Sequence, residues 1–150
     1  MKRTIKNYTT DVPVQKTILE IQNLLVQNGA RGIATEYDSN GMLKDIFFKI
    51  MVKERELPFR LPANPDAVYA ALHADALPHY HEWYGEQWKI EAQRIAWRIC
   101  KTWLEAQLTL INLDQAHIEE VFLPYLVMPG NKTLYEVMKG NQFLLPAGSS

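Results

Sequence analysis

The chain has 150 residues, 47% of them hydrophobic, with 16 basic against 17 acidic side chains and a formal net charge of −1. That length and apolar content suffice for one domain whose core needs no disulfide or metal staple. The near-neutral balance excludes the overall basic character of a strongly DNA-binding or polybasic membrane protein, so an anion-binding surface has to be a local patch.

After an extended, basic start, Val14 to Asn28 reads as a helix with an apolar stripe of Ile18, Ile21, Leu24 and Leu25, and Gly29 caps its end. Gly32 to Tyr37 reads as a strand, Asp38-Ser39-Asn40-Gly41 as a turn, and Leu43 to Val52 as the second strand of a hairpin. Lys53-Glu54 makes the next turn into a third strand, Arg55 to Leu61, where Leu57, Phe59 and Leu61 alternate with polar residues and Pro58 argues for a sheet edge. A helix is predicted from Pro65 to about Ala74, followed by a loop from Asp75 to Glu82.

From Glu86 to Ile111 no glycine or proline interrupts a helical pattern, and Trp88, Ala92, Ile95, Ile99, Trp103, Ala106 and Leu110 recur at steps of three or four. This is one long core-forming helix of roughly 39 Å. Trp88, Trp97 and Trp103 lie at different angles around it, so it should be covered on several sides, in part by a second copy of the chain in a possible homodimer. Asp114 is expected to cap a short helix through Phe122 that Pro124 ends, Leu123 to Met128 reads as extended, and Thr133 to Lys139 as a last short helix stopped by Gly140. The expected fold is α+β, a single domain with a helix, a three-stranded antiparallel meander and a mainly helical half built around one long helix (about 86–111). Residues 1–10 and 141–150 read as flexible ends.

Several blocks carry a resemblance: Val12-Pro13-Val14 with Glu20-Ile21 and Leu24-Leu25, Asn28-Gly29-Ala30, Leu57-Pro58-Phe59-Arg60-Leu61-Pro62, Ala96-Trp97-Arg98, Phe122-Leu123-Pro124-Tyr125 and Lys132-Thr133-Leu134-Tyr135-Glu136. Through them the chain, from about residue 10 to residue 138, resembles a family of small uncharacterised proteins encoded in bacteriophages and integrative mobile elements. The resemblance implies that setting and no particular activity. His73 to Trp83 lies outside the matching blocks.

Three groups of residues bear on chemistry. On the long helix, Arg94, Arg98 and Lys101 form a cationic stripe with Trp97 at its border, a pattern that can grip phosphates and stack on a base. Glu91, three before Arg94, and Glu105, four after Lys101, can equally absorb two of those charges as surface ion pairs and leave Arg98 least paired. On the second strand, alternation that turns Ile46, Phe48, Ile50 and Val52 inward turns Phe47, Lys49 and Met51 outward, with Arg60 alongside. Such a face binds single-stranded nucleic acid or lies beneath a helix or a partner subunit. His73, Asp75, His79 and His81, with Glu82 adjacent, are the only clustered metal-type ligands, and their spacing matches no recognised zinc module, so the expectation is neither metal nor cofactor.

Other routes to catalysis are poorly supplied. Cys100 lies within the long helix, where it reads as packing and excludes an internal disulfide. Glu119 and Glu120 are adjacent and diverge by ~100° on a helix, and the glycines form no phosphate loop. No apolar run approaches the ~20 residues of a membrane span, and polar residues follow Met1-Lys2-Arg3-Thr4-Ile5-Lys6 where a signal peptide would be apolar, so the expected location is the host cytoplasm, without a membrane partner. The favoured function is a non-enzymatic accessory protein acting on nucleic acid through Arg94, Trp97, Arg98, Lys101, Phe47, Lys49 and Arg60. The alternatives are a module that binds and inhibits a host defence or replication protein, and a metal-dependent enzyme built on the His73–Glu82 loop.

Overall fold

A period-two pattern in the centre of the chain and a helical period on either side make a sheet with helices laid across one face. In the computed structural model, which describes residues 11–75 and 85–144, the elements follow in the predicted order. They are α1 (Val14–Gln27), β1 (Ala30–Tyr37), β2 (Leu43–Val52), β3 (Arg55–Arg60), α2 (Pro65–Asp75), α3 (Gly85–Asn112), α4 (Ile118–Phe122), β4 (Val127–Met128), β5 (Lys132–Thr133) and α5 (Leu134–Gly140), with a 3-10 turn at Leu123–Tyr125. The α+β class stands: a helix, an antiparallel sheet in the order β1-β2-β3, and a mainly helical remainder with the long α3. Among the described residues no helix is long and apolar enough to cross a membrane.

Turn chemistry sets the register. Gly29, at φ +97°, takes a left-handed conformation that lets the chain leave α1 directly into β1. Asp38 Oδ1 accepts the N–H groups of Asn40 at 2.8 Å and Met42 at 3.0 Å and closes the β1–β2 loop. Lys53 and Glu54 form the two-residue turn between β2 and β3 with φ of 53° and 60°, the left-handed pair that matches strand twist. Phe48 then lies between Ile33 on β1 and Phe59 on β3, and Lys49 lies opposite Pro58 on the outer strand.

Ile46, Phe48 and Ile50 are buried against Ile21 and Leu25 of α1, Trp97, Cys100, Leu104 and Leu108 of α3, and Phe122 of α4. The Phe48 and Phe59 rings stack at 5.4 Å, and Phe122 meets Phe48 edge-on at the same distance. A smaller cluster joins Leu72 of α2 to Trp88, Ala92 and Ile95 of α3, with Ile99 half-buried beside it.

These two clusters correct the helical stripe. Burial follows Trp88, Ala92 and Ile95 as expected, then passes to Ala96, Trp97, Cys100, Leu104 and Leu108, leaving Ala106 and Leu110 exposed. The first half of α3 faces α2 while the second faces α1 and the sheet, so one helix serves two partners at different angles. Cys100 is packing, its thiol pushed up to about 12 by burial.

The C-terminal part differs in detail. Asp114, at φ 57°, ends α3 rather than capping α4, whose first residue is Ile118. The extended segment expected over Leu123 to Met128 is a 3-10 turn with Pro124 inside it, followed by β4 paired with β5. Thr133 caps α5, accepting the Glu136 N–H at 3.2 Å while Glu136 Oε1 accepts the Thr133 N–H at 2.9 Å. Residues 141–144, expected within a flexible end, fold back on α5 through Phe143 N–H to Met138 O at 2.7 Å.

Candidate functional site

Helices α1 and α3 lie side by side and run parallel, because Glu20 meets Arg98 and Lys101 while Asn28 meets Asn112 further along both. That packing decides the fate of the cationic stripe. Glu20 Oε2 accepts from Arg98 Nη1 at 2.8 Å and lies 2.9 Å from Lys101 Nζ. Lys101 also pairs with Glu105 at 2.7 Å, and Arg94 with Glu91 at 3.6 Å, as the helical spacings allow. Hydrogen bonds from Lys101 and then Arg98 hold the Glu20 carboxyl below its usual range, and those to Glu105 and Glu20 raise Lys101. Arg98, expected to be the least paired cation, is thus claimed by a residue 78 positions away.

Trp97 is a correction. Its side chain is fully buried, 0% exposed, because the seam with α1 and the sheet passes over the angle assigned to the polar border. The ring has no face open to a base. On the sheet Lys49 is exposed, whereas Phe47 and Met51, expected to face outward, and Val52, expected to face inward, are all half-buried. Lys49 lies 3.9 Å from Glu56, and Arg60 is shared between Asp45, at 3.9 Å, and a close hydrogen bond to Glu136 of α5.

The metal-type ligands divide. His73, in the last turn of α2, stacks on Trp88 at 4.7 Å and meets Tyr69 at 4.5 Å, which occupies its ring in an aromatic contact. Asp75 is the last residue of α2, and His79, His81 and Glu82 lie outside the described residues. Among the described residues no three His, Cys, Asp or Glu side chains are grouped to hold a metal ion.

What the structure adds is a cleft of about 590 Å³ at the edge of the sheet, where the start of β2, the end of β3, the chain leading into α2 and the cap of α5 converge. The volume lies in the range of roughly 300–1,000 Å³ typical of ligand sites. Asp38, Asp45, Asp66 and Glu136 line it against Lys44 and Arg60, an excess of carboxylates. Glu136 is satisfied: the Thr133 backbone N–H, and then Arg60, hold its carboxyl low. Asp45 is not. Its side chain is 16% exposed, Arg60 Nε stands 3.9 Å away, and burial outweighs that cation and raises the carboxyl.

Gln93 closes the inner wall. Its Nε2 donates to Leu43 O at 2.9 Å, while the buried Oε1 has no hydrogen-bond partner among the described residues. It also borders a second cavity of about 300 Å³ walled by Val14, Ile18, Met42 and Ile90. Tyr125 lines the cleft with a phenol raised by burial. Of these side chains sequence reasoning found Arg60 alone. The Thr133-x-x-Glu136 capping box was readable as a pattern, but nothing local marks Asp45 or Gln93, whose partners come from distant elements.

Comparisons with protein families, with curated proteins and with solved structures find no match for this chain.

Proposed function

We propose that the protein is a non-enzymatic binding module that docks a protein partner through this cleft, in the phage or mobile-element setting implied by its sequence resemblance. One observation carries the reading: each candidate cation, Arg94, Arg98, Lys101, Lys49 and Arg60, has a carboxylate within 4 Å, while the cleft keeps an excess of carboxylates. Phosphate would have to displace Glu20 from Arg98 and Lys101, and the loss of those internal pairs offsets part of the counterion-release gain that drives nucleic-acid binding. A partner with basic side chains meets weaker competition at Asp45, whose nearest paired cation, Arg60, stands 3.9 Å away and is hydrogen-bonded to Glu136.

The test sets two binding assays beside each other. Fluorescence anisotropy with single-stranded and duplex DNA and RNA at low ionic strength should give no binding at tens of micromolar protein. The immobilised protein should form a saturable complex with one host protein, lost on Asp45→Arg. Oligonucleotide affinity that falls with salt and is lost on replacing Arg98 and Lys101 with glutamine would restore the nucleic-acid reading.

A further inference from the structure

The sheet closes one of its edges and leaves the other open. On the β3 side Pro58 has no N–H to offer, Phe59 bridges to Leu126, and Arg60 is bonded to Glu136 of α5. On the other side β1 pairs with β2 alone, and among the described residues no backbone hydrogen bond outside that ladder reaches Ala30–Tyr37. Alternate residues of an antiparallel edge strand turn both N–H and C=O outward, so β1 offers a row of donors and acceptors to another strand.

Helix α1 borders the same edge. It runs back along β1, its start sharing a cavity with Tyr37 and its end joined to Ala30 through Gly29. Glu20 and Asn28 mark the side turned to α3, and Leu19 and Val26 lie roughly 150° around the helix from them. Both are apolar and exposed, at 56% and 61%. With Gln15 and Gln22 they recur at steps of four, three and four, the spacing of a seam between two helices.

We propose that this edge is the interface of a homodimer, in which two copies pair β1 with β1 antiparallel across a two-fold axis near Ile33 and Ala34 and lay α1 beside α1. Trp88 and Trp97 of α3, where the sequence pattern suggests a second copy, are buried within the chain and offer no such surface. Strands ~4.8 Å apart carry helices that lie over β1 and β2 to ~10 Å from each other across the axis, the ordinary packing distance of helices. Charge selects a second copy running antiparallel. Arg31 stands near the start of the strand and Glu36 near its end, both exposed, and among the described residues no ion pair engages either. Antiparallel pairing brings each beside its opposite on the second copy, twice over, whereas parallel pairing sets like against like. Glu36 also faces Asp45 across the β1–β2 ladder, a like charge that a cation on its free side offsets. Arg31 falls at the bulge between Ala30 and Gly32, which frees its side chain from the strict alternation of the strand.

Sedimentation velocity of the full chain over a range of concentrations tests the interface. The wild type should be a dimer at tens of micromolar, with twice the 17.3 kDa mass of the chain. Arg31→Glu and Glu36→Arg should each weaken self-association by at least about tenfold, because each sets like charges together at both ends of the strand pair. An equimolar mixture of the two variants should recover the dimer, since every charge contact across the mixed axis is again of opposite sign. Leu19→Lys combined with Val26→Lys should weaken the dimer likewise; melting curves of all variants verify that they are folded. A monomer at every concentration, a dimer that either single reversal leaves unchanged, or two monomeric reversals whose mixture stays monomeric overturns the proposal. A monomeric wild type whose complex with a host protein is lost on Arg31→Glu gives the edge to a foreign strand and overturns it too.

Discussion

The α1–α3 seam and the cleft both bring carboxylates and cations together, and they end in opposite states. In the seam one carboxylate, Glu20, is shared by two cations, and Lys101 has Glu105 besides. In the cleft one cation, Arg60, is shared by two carboxylates, and Asp45 receives the longer contact. The first arrangement spends its cations on internal ion pairs that tie α1 to α3, whereas in the second Asp45 has its cation 3.9 Å away. Whether a charged group serves the fold or a ligand is therefore a matter of which partner has spare valence, and not of how many charges stand together.

The sharpest way to break this contrast is Trp97→Ala. If the seam is closed, the variant empties a fully buried site and should cost ~3–5 kcal/mol in chemical denaturation. A variant as stable as the wild type would mean that the tryptophan lies at an open surface after all. Next in size is Glu20→Gln, which weakens two partly exposed ion pairs and should lower stability by about 1 kcal/mol; a double-mutant cycle with Arg98→Gln isolates the coupling.

The two sites should also titrate in opposite senses. Glu20 is held below its ordinary value of 4.5, so its contribution is complete above that pH and is lost as the pH falls through the lowered value. Asp45 is raised above its ordinary 3.8, so in that window the folded chain keeps a proton that the unfolded chain releases. Stability relative to Asp45→Asn should therefore fall as pH rises through the window and be level above it. Thermal melts of wild type, Glu20→Gln and Asp45→Asn from about pH 3 to about pH 7 check both signs. The smallest effect is Leu110→Ser, outside both sites and already exposed, which should leave stability within ~0.5 kcal/mol.

The fold was legible wherever local pattern and tertiary demand agree. The alternation of β2, the turn at Asp38–Gly41 and the uninterrupted helical run of α3 each need only near neighbours to be read. The buried face of α3 was legible only through Ile95, because the later shift to Cys100, Leu104 and Leu108 answers a change of packing partner that no window of the helix contains. The site was less accessible still. Glu91–Arg94 and Lys101–Glu105 were foreseeable from spacing, but Glu20–Arg98, Asp45–Arg60 and Arg60–Glu136 join segments far apart in the chain, and they decide which cations and carboxylates have capacity left.

The parallel pairing of α1 with α3 also sets a timetable. Glu20 and Arg98 are separated by 78 positions, and the sheet and α2 must be made before the second helix exists. At ~5–20 residues per second of synthesis, that interval is roughly 4–16 s. A helix of 14 residues is marginal alone in water, so during those seconds Ile21 and Leu25 have no lasting cover from their own helix. Completion of this packing is thus deferred until α3 has been made, and the nascent segment that precedes it is the stage at which chaperones and proteases have most to grasp.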